Sequence, residues 1–351
     1  MRKYFINACV ILFLFGCSED DQIKTYSLQG KEISLPFTVG SSSNVINDHG
    51  YFLMRDFKPL NGKYFKLMDS DFNLIAEFGE SGEGPFNFKM QPGKVYQQSF
   101  IEKNELIVLE GTKIFKFSNF LKDSISIEEI NYPTNNSFPQ NYLFINDSLL
   151  WINGGSQEHK FFIVNTNTNQ TIRKLDFTPY VSKPNPRMLM FEYNASPHYN
   201  QERDIVIWAH AFQNTIELYN SVGDLKTEIV YGEKVDISLI DPADKQPTFF
   251  NPIALKEGFI VGLVDNEVYS RFLVPEEEIA NVNTDNLKSY LLYYDYEGNL
   301  ITRITIDKFI GSFCIDFDNQ RIIAPISTNE DLPLVEFQIP EELQKYFVDV
   351  N

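Results

Sequence analysis

Few side chains in this sequence have the types and spacing that catalysis or metal binding requires. The four histidines are His49, His159, His198 and His210, and no two of them lie four residues apart. The sequence contains neither the His-Glu-x-x-His pattern of zinc hydrolases nor the Gly-x-Ser-x-Gly turn of serine hydrolases. We therefore predict no catalytic residue, no metal ligand and no cofactor from local motifs.

Two acidic segments have the composition of calcium loops. Asp69-Ser70-Asp71-Phe72-Asn73, followed by Glu80, has the spacing of an EF-hand loop, but Leu74 occupies the position that requires glycine. Asp295-Tyr296-Glu297-Gly298-Asn299 is similar in composition. Because the flanking residues have the pattern of strands rather than helices, we interpret both segments as hairpin turns.

The charge balance excludes one class of partner. The chain of 351 residues carries 30 Lys and Arg against 48 Asp and Glu, a formal net charge of −18. A nucleic-acid-binding protein needs a basic surface, so we expect no nucleic-acid partner.

The N-terminus has the features of a secretory signal. Arg2 and Lys3 precede the apolar run Ile11–Phe15, which is too short to span a bilayer. Leu14-Phe15-Gly16-Cys17 resembles a bacterial lipobox, in which the cysteine becomes acylated, for example with palmitate. We predict a signal peptide at residues 1–16 and a lipidated Cys17 at the start of a tether, residues 17–25. An ordinary signal peptide with an incidental cysteine is the alternative.

The residues after Cys17 bear on localisation. Ser18-Glu19-Asp20-Asp21 resembles the acidic export signal of some Bacteroidota lipoproteins, and a solvated acidic linker is the alternative. We predict attachment to the outer membrane and leave open whether the protein faces the periplasm or the cell surface. Only Cys314 would remain unmodified in the mature chain, in an apolar setting that predicts a buried, unreactive thiol.

A repeat organises the rest of the chain. Six compact apolar runs, each preceded by a polar turn, recur about every 50 residues, as in propeller blades. These runs are Gly50–Met54, Glu105–Leu109, Ser148–Ile152, Asp204–Trp208, Gly258–Gly262 and Arg321–Pro325. A further hairpin follows each of the first five runs, at Tyr64–Phe78, Ile114–Ile130, Phe161–Phe177, Thr215–Tyr231 and Tyr290–Ile306.

Four strands per repeat predict an all-β fold, a six-bladed β-propeller over residues 26–351 with an insertion at about 267–287. Two β-sandwiches are the alternative, but the regular repeat and the lack of a dividing linker argue against them. The sixth copy lacks an outer strand. We expect Tyr26–Phe37 to supply it and so to close the ring, with Tyr346–Val350 as the rival segment.

One segment carries a family resemblance. Gly79-Glu80-Ser81-Gly82-Glu83-Gly84-Pro85-Phe86, together with Phe88, resembles the Gly-x-Gly-Glu-Gly-Pro-Gly-x-Phe segment of six-bladed propeller lipoproteins of Bacteroidota. Phe86 departs from that pattern, which commonly has glycine there. The resemblance implies a TolB-like or NHL-like propeller and no established activity. We interpret the segment as a connector between blades rather than a phosphate-binding loop.

The propeller prediction points to one face for recognition. Connectors between blades and loops between second and third strands share a face, and here they are long and rich in aromatic residues and arginine. Packing over the blade ends is the alternative role for these side chains. The predicted ligand-binding residues are Arg55, Arg187, Phe191, Tyr193, His210, Phe249, Phe250, Tyr269 and Arg271.

We predict an outer-membrane lipoprotein whose propeller is a non-catalytic binding or scaffold module for a glycan, a peptide or a partner protein. The alternative is a calcium-dependent hydrolase or lactonase with its site in the central channel. Its candidate metal ligands would be Asp48, Asn141, Asn251 and Asp316. Motifs do not decide between these functions.

Overall fold

A computed structural model describes residues 23–350 except 41, 57, 84–86, 90–91, 94, 96–99, 102, 122–125, 134–140, 154–158, 177–194, 212–213, 233–247, 265–288 and 327–333. This part of the chain forms 25 β-strands and one helical turn, α1, at Glu341–Gln344. None of the helical structure within it is long and apolar enough to cross a bilayer.

The strands form six sheets in chain order, after two N-terminal strands, β1 Lys24–Leu28 and β2 Lys31–Ile33. Sheet 1 contains β3 Ser42–Asp48, β4 Tyr51–Asp56, β5 Lys63–Met68, β6 Leu74–Ser81 and β7 Asn87–Phe88. Sheet 2 contains β8 Glu105–Glu110, β9 Lys113–Ser118 and β10 Ser126–Ile130. Sheet 3 contains β11 Asn141–Phe144, β12 Leu149–Asn153, β13 His159–Asn165 and β14 Gln170–Asp176. Sheet 4 contains β15 Ala195–Asn200, β16 Ile205–His210, β17 Thr215–Tyr219 and β18 Leu225–Val230. Sheet 5 contains β19 Thr248–Ala254, β20 Gly258–Val264, β21 Ser289–Asp295, β22 Leu300–Ile306 and β1. Sheet 6 contains β23 Cys314–Asp316, β24 Arg321–Pro325, β25 Leu334–Gln338 and β2.

The fold is the predicted six-bladed β-propeller. The six apolar runs form β4, β8, β12, β16, β20 and β24. Each is the second strand of its sheet, except that β8 is the first described strand of sheet 2. Each of the five further hairpins forms the two strands that follow, as in β5–β6 and β21–β22. In sheet 2 an isolated bridge between Pro92 and Glu110 marks the position of the innermost strand.

The sheets hold one another through their apolar faces. Six buried clusters lie one between each pair of neighbouring sheets, including the pair formed by sheets 6 and 1. Between sheets 3 and 4, for example, Trp151 and Phe161 pack on Trp208, and the Phe161 and Trp208 ring centroids are 4.2 Å apart. The second strands of the sheets are therefore apolar on both sides, because both faces of each sheet are covered there.

The N-terminal segment closes the ring. Strand β2 pairs antiparallel with β25, so sheet 6 combines strands from both ends of the chain. Strand β1 adds a parallel fifth strand to sheet 5, where Leu28 enters the cluster between sheets 5 and 6. The segment that follows β2 packs between sheets 6 and 1, where Val39 is buried. One stretch of chain thus links three consecutive blades across the closure.

The structure adds two details to the predicted closure. The ring begins at Lys24, so the last two residues of the predicted tether belong to β1. The rival segment Tyr346–Val350 forms no strand but packs against the ring, with Phe347 buried and the Lys256 N–H donating to the carbonyl of Val348.

The backbone path of the connector after sheet 1 requires glycine at two positions. Gly79 has a φ of +78°, and a Cβ there would lie 2.8 Å from the ring of Phe88. Gly82 has a φ of +147°, and its N–H donates to the carbonyl of Phe88. These conformations let the chain turn back so that β7 pairs parallel with β6 before it continues to sheet 2. The segment is a connector between blades, as predicted.

The two acidic segments are hairpin turns. In the turn between β5 and β6, Asp69 Oδ1 accepts hydrogen bonds from the N–H groups of Asp71 and Asn73, both at 2.9 Å. Asp295 Oδ1 accepts from the Asn299 N–H at 2.8 Å in the corresponding turn of sheet 5. Their oxygens bind the backbone of their own turns, as Asx turns do.

The closure can be tested at Leu28. Replacement by alanine should lower the free energy of unfolding by about 2–5 kcal/mol, because it opens a cavity between sheets 5 and 6. Ile23, which is 49% exposed just before β1, is the matched control, and Ile23→Ala should cost about 0.5 kcal/mol or less. Denaturant unfolding followed by circular dichroism measures both, and equal small losses would show that β1 does not hold the ring closed.

Candidate functional site

The propeller has two chemically different ends. The first strands of the sheets end at short hairpin turns, such as the one between β3 and β4. The third strands end at similar turns at the same end of the ring. We call this end the turn face. The loops between second and third strands and the connectors between blades lie at the other end, which we call the connector face.

Two of the predicted ligand-binding residues lie at the connector face. Arg55 is the next-to-last residue of β4, and His210 is the last residue of β16. Both are buried, with 7% and 1% of their surface exposed. The structure therefore places them at the expected end of the ring, but as enclosed groups.

Phe249 and Phe250 do not lie in a connector, contrary to the sequence prediction. They belong to β19, the innermost strand of sheet 5, and both are buried. Phe249 packs in the cluster between sheets 4 and 5 and Phe250 in the cluster between sheets 5 and 6. Their position in the middle of an apolar strand makes them core residues. Six other predicted site residues lie outside the described residues. They are the lipidation site Cys17 and the ligand-binding candidates Arg187, Phe191, Tyr193, Tyr269 and Arg271.

A buried charged network joins sheets 3 and 4 at the connector face. Lys160 Nζ contacts Glu217 Oε2, and His210 Nε2 lies 2.7 Å from the same oxygen. A β-bulge between His159 and Phe161 re-aims the intervening Lys160. Burial alone would raise the pKa of Glu217, but Lys160 and His210 hold that pKa well below its usual range. Glu217 is therefore an ionised carboxylate that pairs with Lys160 and His210.

A second buried pair organises the connector face of sheet 1. Lys66 Nζ lies 3.3 Å from Asp56 Oδ2, and both side chains are fully buried. Asp56 also accepts hydrogen bonds from the backbone N–H groups of Gly40 and Lys58. These contacts fold the entry to β3 over the end of β4, which is a structural role.

The four candidate channel ligands lie at different levels along the inner strands of the ring. Asp48 ends β3 and Asp316 ends β23 at the turn face, where they accept hydrogen bonds from the Ile101 N–H and from Arg321 Nε. Asn141 begins β11 at the connector face, and Asn251 lies within β19, where its amide donates to the carbonyl of Phe313. Among the described residues, no group of three His, Cys, Asp or Glu side chains is arranged to hold a metal ion.

His198 is a buried neutral base near the turn face of the inner strand β15. Its Nδ1 accepts a hydrogen bond from the Ala254 N–H at 3.1 Å, so the proton of the neutral ring is on Nε2. Burial lowers the pKa of His198 to about 3. This imidazole links the inner strands of sheets 4 and 5 and stays uncharged near neutral pH.

A cleft opens at the turn face between sheets 2 and 3, and the sequence analysis did not predict it. It has a volume of about 520 Å³ and extends inward to His198 and Tyr199 of sheet 4. Val350 of the C-terminal tail forms part of its lining. The volume lies in the range of small-molecule sites. The hairpin turns at this end are short, and loop length, which favours the connector face, does not indicate a gap between two sheets.

Sheet 2 forms one charged wall of the cleft. Ile107, Lys116 and Glu128 lie side by side on β8, β9 and β10, and all three line the cleft. Lys116 Nζ lies 3.1 Å from Glu105 Oε1. The opposite wall includes Tyr142, whose hydroxyl donates to the carbonyl of Ile107 and so fixes the distance between the two sheets.

The buried imidazole predicts a specific pH dependence of stability. The pKa of His198 is about 3 in the folded chain and about 6.5 when unfolded, so the unfolded state binds more protons below pH 6.5. The contribution of His198 to stability is full above about pH 6.5 and falls by about 1.4 kcal/mol per pH unit as the pH decreases toward 3.

Replacement of His198 by glutamine should remove this part of the slope between pH 7 and pH 5, as measured by urea unfolding at several pH values. His49→Asn is the control, because His49 lies in an exposed turn with a side chain that is 70% exposed. A His198→Gln slope that equals the wild-type slope would contradict the neutral, buried state of this ring.

Comparison with known proteins supports the fold. No family model matches the chain, and no curated protein matches it. Among solved structures, a member of the DUF4221 family from Bacteroides vulgatus is similar with a TM-score of 0.58 at 9% identity, over 88% of this chain and 97% of that chain. A candidate exported protein of Bacteroides fragilis gives a TM-score of 0.56 at 10% identity, over 90% and 99% of the two chains.

A calcium-binding protein, regucalcin, from Agrobacterium tumefaciens gives a TM-score of 0.51 at 10% identity, over 90% of this chain and 95% of that chain. At these identities the similarity shows a shared fold. The chain is a six-bladed β-propeller similar in architecture to propellers of Bacteroides.

Proposed function

We propose that this chain is a non-catalytic binding module of the cell envelope, held at the outer membrane by a lipid on Cys17. The signal-like N-terminus and the lipobox-like residues before Cys17 support export and acylation. The structural similarity to a candidate exported protein of Bacteroides fragilis agrees with an envelope location. The ligand is a glycan, a peptide or a partner protein.

The cleft between sheets 2 and 3 is the observation that carries the binding role. It is enclosed by strands of sheets 2, 3 and 4 together with the hairpin turns that join them, and its walls combine aromatic, amide and charged side chains. Such a preformed concave surface with a few directed polar groups is typical of ligand sites. By contrast, the charged side chains of Lys160, His210 and Glu217 are buried and pair with one another, which is typical of structural polar groups.

The connector face is the second part of the proposal. Arg187, Phe191, Tyr193, Tyr269 and Arg271 belong to its long segments in the sequence and are proposed to contact a larger partner there. A propeller with a cleft at one end and long loops at the other can hold two ligands at once, which suits a scaffold.

The lipid anchor is tested by Cys17→Ser. Loss of the acylated sulfur should move the protein from the membrane pellet to the soluble fraction, because two or more acyl chains are needed for stable attachment. Cys314→Ser is the control, because Cys314 is buried in the ring and should not affect fractionation. A Cys17→Ser protein that stays in the pellet would refute lipid anchoring.

The binding role is tested by site-directed crosslinking from the cleft. Gln201 is exposed and lines the cleft, whereas Gln170 is exposed on β14 outside it. Because Cys314 is buried, Gln201→Cys and Gln170→Cys can each be labelled selectively with a photoactivated maleimide in isolated cell envelopes. We expect a discrete adduct from position 201 and none from position 170. Identical patterns from both positions would mean that the cleft is not a binding site.

A further inference from the structure

The cleft contains amide side chains that the protein itself leaves unused. Asn131, Asn167 and Gln201 line the cleft, are exposed, and make no side-chain hydrogen bond with the described residues. Each amide offers both a donor and an acceptor. A ligand that satisfies these groups must therefore both donate and accept hydrogen bonds, as a row of hydroxyl groups does.

The charges of the cleft disfavour an anionic ligand. Its ammonium groups are already paired, since Lys116 lies 3.1 Å from Glu105 and Lys103 lies 3.8 Å from Asp147. Glu128 faces Lys116 across the strands, and it adds a carboxylate without an ion pair among the described residues. An acidic molecule would meet more negative than positive charge there.

The apolar part of the lining is fixed in place. Ile107 and Phe144 lie half-buried on opposite walls, and the phenol of Tyr142 joins those walls through its bond to the Ile107 carbonyl. At the inner end, the Tyr199 hydroxyl donates to Asp204 Oδ1 at 3.2 Å, which orients that ring. A cleft with fixed rings and apolar side chains beside free amides suits a flat ligand with CH groups on its faces and hydroxyls around its edge.

From these features we infer that the cleft binds an uncharged, hydroxyl-rich ligand, a short neutral oligosaccharide. This inference rests on the proposed binding function and names the ligand class of the same cleft. A volume of about 520 Å³ has room for a few sugar rings, with further rings extending from the open turn face.

The experiment uses the full chain in detergent and isothermal titration calorimetry. The probes are neutral tetrasaccharides of glucose, mannose, xylose and N-acetylglucosamine, with tetragalacturonate as the acidic counterpart and tetra-alanine as a peptide. We expect saturable binding of at least one neutral tetrasaccharide and none of tetragalacturonate. Gln201→Ala combined with Asn167→Ala should weaken that binding at least tenfold, and Gln170→Ala should leave it unchanged.

Three results would overturn the inference in different ways. No saturable binding of any neutral tetrasaccharide would refute the ligand class. Binding that is insensitive to the Gln201 and Asn167 changes would place the saccharide site elsewhere on the ring. Binding of tetra-alanine alone, with the same loss in the cleft variant, would refute the saccharide class and leave the proposed binding function intact. Because these side chains are exposed, the variants should keep the wild-type unfolding midpoint, which differential scanning calorimetry checks.

Discussion

The constraint on which this structure depends is that each sheet is apolar on both faces and is stable only between two neighbours. Six clusters satisfy that constraint, one at each interface around the ring. Removal of any one contact between blades would expose two apolar faces at once. The closure therefore bears on all six sheets, and the chain closes the ring with β1 and β2 from one terminus and β23 to β25 from the other.

Much of this fold can be predicted from sequence because the repeat is local. Apolar runs such as Glu105–Leu109, bounded by turn residues, predict strands whose partners are the next strands along the chain. The sequence predicts that Tyr26–Phe37 closes the ring, but it does not show that Lys24–Leu28 pairs with β22 of sheet 5, about 280 residues away. The sequence predicts a connector at Phe249 and Phe250, because no clear turn separates β19 from the long segment before it.

The candidate site was less accessible to sequence reasoning than the fold. The cleft combines Ile107, Tyr142 and Tyr199, which come from three different sheets and have no common motif. Arg55 and His210 were located at the correct end of the ring, but their burial depends on neighbours that their local sequence does not show. Loop length predicts where a chain has freedom to vary, whereas a gap between two blades depends on side-chain sizes at both faces.

Strand β1 also determines where any attachment to a membrane would act on the ring. It runs parallel to β22, so Lys24 lies at the turn-face end of the outer edge of sheet 5. Seven residues, Cys17 to Ile23, reach at most about 23 Å. In a ring of six, sheet 5 lies opposite sheet 2, which forms one wall of the cleft. With a lipid at Cys17, the ring would rotate about an attachment point at the edge of sheet 5. The cleft, near the opposite edge, would then move through the largest distance over the bilayer.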